Sequence, residues 1–211
     1  QAPESSDLST RRYRFVVAGF TVLAHLAIGM ALLAPAPLLP LMIDDYSINR
    51  TTASLMITLT LLVAAGMGLP GGMIIGRLGI RRAYTVSWFL MALPVLSPLA
   101  PNFPTLLALR LGAGAGFVVA GVATGPLLMQ WFRLRETFIM NGLNTAFVNL
   151  GMAISLFTAA PLADAFGTRC ALGVFSALSL LGAVAWIRLS RPVGEVSPMV
   201  PVFSPRVLWE V

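Results

Sequence analysis

Lysine is absent from this 211-residue chain, so all fourteen basic residues are arginine. Without lysine the chain has no Walker A phosphate loop, and no side chain can form a Schiff base. One histidine, His25, and one cysteine, Cys170, are present. They cannot build a His-rich or Cys-rich metal site, and a lone cysteine gives no intrachain disulfide. No cofactor and no metal are therefore expected. Charge is also scarce, at 10% of residues against 57% hydrophobic. The stretches 15–43, 51–76 and 137–163 carry no formal charge, and each exceeds the roughly 18 to 20 apolar residues that cross a bilayer. In lipid such runs must be helices, because every backbone polar group has to be satisfied within its own segment.

The pattern predicts an all-α integral membrane protein with six transmembrane helices, at 15–39, 51–75, 83–99, 105–131, 137–162 and 171–189. Residues 1–14 form a tail before the bundle of residues 15–190, and residues 191–211 form a Pro-rich linker or tail after it. Pro35, Pro37 and Pro40 are expected to end the first span early. With the N-terminus in the cytoplasm, eleven arginines fall inside, whereas Arg50 and Arg169 alone fall outside. That asymmetry predicts a multi-pass protein of the plasma membrane with both termini cytoplasmic. An Arg-only, Ala/Gly/Leu-rich composition is associated with GC-rich bacterial genomes, which would make this a bacterial inner membrane.

Gly76-Arg-Leu-Gly79-Ile-Arg81, after the second span, recurs as Asp164-Ala-Phe-Gly167-Thr-Arg169 after the fifth, an offset of 88 residues. Val86 and Leu90 then match Val174 and Leu178. The unit is three helices long, and an odd-helix unit used twice is inverted in the membrane. The repeats are 15–99 and 105–189.

The stretch GGMIIGRLGIRR, residues 71–82, closes the second run. Gly68, Gly72 and Gly76 recur every fourth residue and predict a face that another helix approaches closely. Gly79 predicts a tight turn. Arg77, Arg81 and Arg82 mark the membrane boundary, favoured by the helix dipole and the positive-inside rule. This loop resembles the signature between helices two and three of the major facilitator superfamily. Gly72, Arg77, Gly79, Arg81 and Arg82 match it, but Gly76 stands where the family has aspartate. That acid helps latch the family's two halves together, so the resemblance does not carry the latch over to this chain. Arg110, Gly114 and Gly116, in RLGAGAG, resemble the family's fourth-helix motif. The loops WFRLRE (131–136) and PLADAFGTR (161–169) resemble those of its anion and organic-acid branches.

An arginine at the centre of a membrane helix costs roughly 2.5 to 3.5 kcal/mol on insertion scales, so Arg110 needs a compensating role. The resemblance implies that His25 and Arg110 lie on helices one and four, which line the family's central cavity. Arg110 then binds an anionic substrate or takes part in coupling, or else it bonds to backbone carbonyls or snorkels outward. His25 accepts a proton or donates a hydrogen bond, or is a satisfied interhelical contact. Asn141, Asn144 and Asn149 either face the cavity, with Asn144 and Asn149 as the substrate candidates, or serve as interhelical glue. Gly112, Gly116 and Ala120 read as packing. Asp44 and Asp45 read as a solvated outer turn, and Glu136 beside Arg133 and Arg135 as a gating pair or an ordinary surface pair. No carboxylate falls inside the six spans, which argues against cationic substrates. The arginines follow topology without interleaved exposed aromatics, so no nucleic-acid partner is expected.

The resemblance implies half of a twelve-helix fold. The chain reads as a fragment, or as a half-size protein that pairs with a second copy. The expected function is secondary active transport of a small polar or anionic solute by alternating access, and not enzymatic. The expected partners are membrane lipid, the solute and a second six-helix half. The alternative is a nontransporting membrane scaffold or assembly subunit built on the same bundle.

Overall fold

The structure, a computed structural model, describes residues 4–190, with side chains from residue 13 onward. The expected linker 191–211 lies outside the described residues. In chain order the helices are α1 (Glu4–Leu33), α2 (Leu39–Tyr46), α3 (Arg50–Gly66), α4 (Gly68–Leu78), α5 (Ile80–Ala92), α6 (Phe103–Met129), α7 (Leu134–Phe166) and α8 (Thr168–Leu189). Short 3-10 segments, Ala36–Leu38 and Leu93–Leu99, follow α1 and α5.

Proline decides where these helices break. Pro35 has no N–H to give the Ala31 carbonyl four residues back, and α1 ends at Leu33, as the proline cluster predicts. Pro70 likewise withholds a donor from Gly66 and crowds its carbonyl. There α3 and α4 part with a bend of 55°, so the expected straight span 51–75 is a broken one. Pro94 and Pro98 turn the end of the expected span 83–99 into the 3-10 segment, leaving a 13-residue α5. Four stretches among the described residues are long and apolar enough to cross a membrane: 13–46, α6, α7 and α8. The bent α3–α4 pair makes five. The difference from the expected six lies entirely in the proline-broken 83–99. At the other end, α1 begins at Glu4, so most of the expected tail 1–14 continues the first helix.

Helix starts are capped where the sequence provides acceptors. Asn49 accepts from the Thr52 N–H at 2.7 Å and Asn102 from the Thr105 N–H at 3.0 Å. At the start of α7, Glu136 Oε2 accepts from the Arg133 N–H at 3.1 Å, one half of a capping box, because the Arg133 side chain has no acceptor to return the bond.

The most extensive interface joins α1 and α7. Glycine makes it possible, because a Cβ on Gly29 would strike the Val148 carbonyl and one on Gly151 would strike the Leu26 carbonyl. The two helices run parallel: Arg14 meets Glu136 at one end, and Gly29 meets Val148 further along. Helix α6 is inserted between α3 and α5. Gly114 lies against Thr60, whereas Gly116 lies against Ser87, Leu90 and Met91. These contacts are of the packing kind expected for Gly116 and Gly112, the latter abutting Leu93. The Gly68–Gly72–Gly76 face is different. All three are exposed, and nothing lies within 4 Å of a Cβ built on any of them. Within this bundle α4 packs through Gly71 and Ile75 instead, with Val118 and Val119 of α6 nearest Gly71. Beside it Phe20, Tyr84 and Trp186 stack edge to face with centroids 4.9–5.1 Å apart, tying α1, α5 and α8 together.

Candidate functional site

Arg110 is buried about two turns into α6, 1% exposed. Its Nη1 donates to the Ala31 carbonyl at 2.6 Å and its Nη2 to the Leu32 carbonyl at 3.2 Å. The guanidinium thus supplies the donor that Pro35 withholds from Ala31, at the negative end of the α1 dipole. Nε remains without a partner. The backbone-carbonyl role foreseen for Arg110 is present in this conformation, with the Nε–H left over.

His25 lies on α1 nearly two turns before those carbonyls and is half-buried. Its Nδ1 sits 2.7 Å from the Thr21 carbonyl. A carbonyl can only accept, so Nδ1 carries the proton and Nε2 presents a lone pair in the neutral ring.

Asn144 and Asn149 separate. Asn144 is 2% exposed, and neither its Oδ1 nor its Nδ2 has a hydrogen-bond partner. Asn149 is exposed and donates to the Thr145 carbonyl at 3.0 Å, while Thr145 Oγ1 donates to the Asn141 carbonyl at 3.0 Å. Asn141, Thr145 and Asn149 therefore form an uncovered polar stripe at i, i+4, i+8 along α7. Thr145 was not singled out from sequence. Its spacing between the two asparagines is the signal that finds it.

The loop motif divides in the same way. Gly79 has φ 78° and ψ 156°, a region open only to glycine. Arg81 donates from Nη2 to the Ser190 carbonyl at 2.7 Å and from Nε to Ser190 Oγ at 3.1 Å, capping the end of α8. Gly72, Gly76, Arg77 and Arg82 are exposed. Glu136 pairs with Arg14 at 3.4 Å and caps its own helix, so the pairing expected with the Arg133 and Arg135 side chains is replaced. Asp44 and Asp45 lie in α2 and not in a loop, and Asp45 Oδ2 accepts from Thr168 Oγ1 at 2.7 Å. Arg169 lies over the Tyr46 ring at 5.1 Å, joining α2 to the start of α8. Sequence spacing could not reveal these pairs, because their members are 122 and 123 residues apart in the chain.

Comparison with known proteins places this geometry in context. The family model for the Major Facilitator Superfamily matches residues 21–209. An uncharacterized protein of Campylobacter jejuni is 25% identical over 174 residues, covering 82% of this chain and 53% of that protein. The Probable nitrate transporter NarT of Staphylococcus carnosus is 25% identical over 155 residues, 72% of this chain and 37% of that one. Its counterpart in Staphylococcus haemolyticus is 25% identical over 135 residues, 63% and 34%. The chain spans about half or less of the length of these relatives.

Proposed function

This chain belongs to the major facilitator superfamily, and on that premise we propose that it is one six-helix half of a secondary transporter for a small polar or anionic solute, working by alternating access. The observation that carries the reading is the uncovered stripe Asn141–Thr145–Asn149. At a rise of about 1.5 Å per residue, Asn149 lies about 22 Å into α7, too deep for an interfacial position. Exposed amides at that depth are costly in hydrocarbon and belong against protein or a water-filled cavity. A second six-helix half, whether the remainder of a longer polypeptide or a second copy, would cover α7 and the open glycine face of α4.

The broken segment 80–99, α5 and the 3-10 segment after it, is long enough to be the sixth crossing. Thirteen α-helical residues rise about 20 Å, and seven 3-10 residues add about 14 Å, against a hydrocarbon core of about 30 Å. The shared backbone geometry of Gly79 and Gly167 supports the inverted three-helix repeat. In this reading Arg110 supplies positive charge beside the path, His25 and Asn149 are further polar contacts, Asn144 lies buried behind them, and the arginine-rich end faces the cytoplasm. The names of the staphylococcal relatives make nitrate the first solute to try. Gly76 in place of the family's aspartate favours the second reading, a nontransporting scaffold.

Nitrate uptake by the full native polypeptide in proteoliposomes tests the choice. The transporter reading expects uptake that Thr145→Val and Asn149→Leu abolish at unchanged membrane yield. Folded protein that moves neither nitrate nor other small anions would favour the scaffold.

A further inference from the structure

Asn144 is a buried amide with four hydrogen-bonding sites and no partner. Its surroundings follow from helix geometry. Gly151 faces the α1 backbone between Leu26 and Met30. Seven residues earlier is about two full turns, so Asn144 points within about 20° of the same direction. On α1, Gly29 faces Val148, and His25 is one turn earlier, about 40° around. Because the helices are parallel, the Gly29–Val148 contact sets residue 144 at the level of residue 25, and the Gly151 contact sets it near residue 21. Asn144 and His25 thus share one face of the α1–α7 seam within about one turn of each other, on the Arg14–Glu136 side of the glycines that hold the seam closed. The Thr21 carbonyl fixes the ring with its free lone pair on Nε2, which bonds to nothing among the described residues.

We propose that His25 and Asn144 together form a one-proton site between α1 and α7. A hydronium ion transfers its proton to the Nε2 lone pair and leaves as water, and the new Nε2–H donates to Asn144 Oδ1. Imidazolium makes a charge-assisted bond there, and the orphaned amide gains its partner. The surroundings suit a single titrating group. Helix α1 carries no other ionisable residue between Phe15 and Leu33, α7 none between Thr137 and Ala163, and α8 none between Ala171 and Ile187. From α5, Tyr84 donates to the Phe20 carbonyl on α1 at 3.3 Å. From α6, Arg110 is held six residues further along α1. The site does not depend on the transport reading, because proton binding is defined whether or not a solute moves.

His25 is the single histidine in the chain, so selective 15N-histidine labelling of the full chain in lipid bilayers gives one imidazole to follow. The expected result is an Nδ1–H tautomer in the neutral form and a hydrogen-bonded Nε2–H after acidification. In Asn144→Leu the midpoint should move by about one pH unit, the scale of a lost charge-assisted bond. Asn149→Leu, on the exposed stripe, should titrate like the native protein. A neutral Nε2–H tautomer, or a native midpoint in Asn144→Leu, would overturn the proposal. Should Asn144→Leu not fold, the distance from Nε2 to Asn144 Cγ in the acidified native protein decides. A value under about 4 Å, as an N–H···O bond of about 2.8 Å requires, supports the site, and one above about 6 Å removes it.

Discussion

Gly79 and Gly167, 88 residues apart, hold the same backbone conformation, φ 78° and ψ 156° in one and φ 84° and ψ 154° in the other. Each N–H reaches back to a helix carbonyl, Gly79 to Ile75 at 2.9 Å and Gly167 to Ala163 at 2.7 Å. Each carbonyl accepts from the residue four ahead, Ala83 and Ala171, both at 3.0 Å. The repeat seen in the letters is thus also a repeat of hydrogen bonds, one joining α4 to α5 and the other α7 to α8.

That conformation is nearly closed to residues with a Cβ. Gly79→Ala and Gly167→Ala should each cost on the order of 1–3 kcal/mol, by matching amounts, in unfolding measured in bicelles. Gly72→Ala, in a helix with open space around it, should instead be neutral or stabilising by up to about 1 kcal/mol. A destabilised Gly72→Ala bundle would show that the open face is already covered.

Arg110 and Pro35 should be energetically coupled. Arg110→Gln leaves the Ala31 and Leu32 carbonyls buried without their charged donor, a loss on the order of 3 kcal/mol. Pro35→Ala returns a backbone N–H within reach of Ala31. In the double variant the two effects should therefore miss additivity by about 1 kcal/mol or more, in the direction of rescue. Additive values would mean that Arg110 does not answer the carbonyl that proline leaves open.

The α1–α7 seam tolerates no side chain at Gly29 or Gly151. Valine at either position should destabilise the protein by about 2 kcal/mol or more, since backbone atoms and not flexible side chains would have to move. The same change at exposed Gly142, with nothing within 4 Å, should stay within about 1 kcal/mol. Equal losses at all three sites would contradict this packing.

Cys170 reports orientation. It is partly exposed near the start of α8, at the arginine-poor end. If the arginine-rich end faces the cytoplasm, a membrane-impermeant maleimide should label Cys170 on intact cells. Labelling only after permeabilisation would invert the proposed topology.

What the sequence determined by itself is local. Proline lacks a donor wherever it sits, so the early end of α1 follows from the cluster at Pro35, but α3 and α5 end near Pro70 and Pro94 while α6 and α7 run on through Pro126 and Pro161, a difference the packed chain decides. Glycine alone occupies the region near φ 80°, so the turns at 79 and 167 were legible from one short repeat. Uncharged runs longer than a bilayer named the solvent, and the arginine motifs named the family that the match over residues 21–209 then showed. Spacing along a helix says which residues share a face but not what that face meets. For that reason the Gly68–Gly72–Gly76 spacing predicts a packed face that is open, while the glycines that do hold two helices together, Gly29 and Gly151, belong to no glycine repeat. Tertiary structure also decided the fate of each polar group. Arg110 finds carbonyls 78 and 79 residues away, Asn149 turns to its own helix, and Asn144 is sealed at the α1–α7 seam with no partner. A buried donor or acceptor is satisfied by whatever the fold brings within about 3 Å, and that is a property of the packed chain.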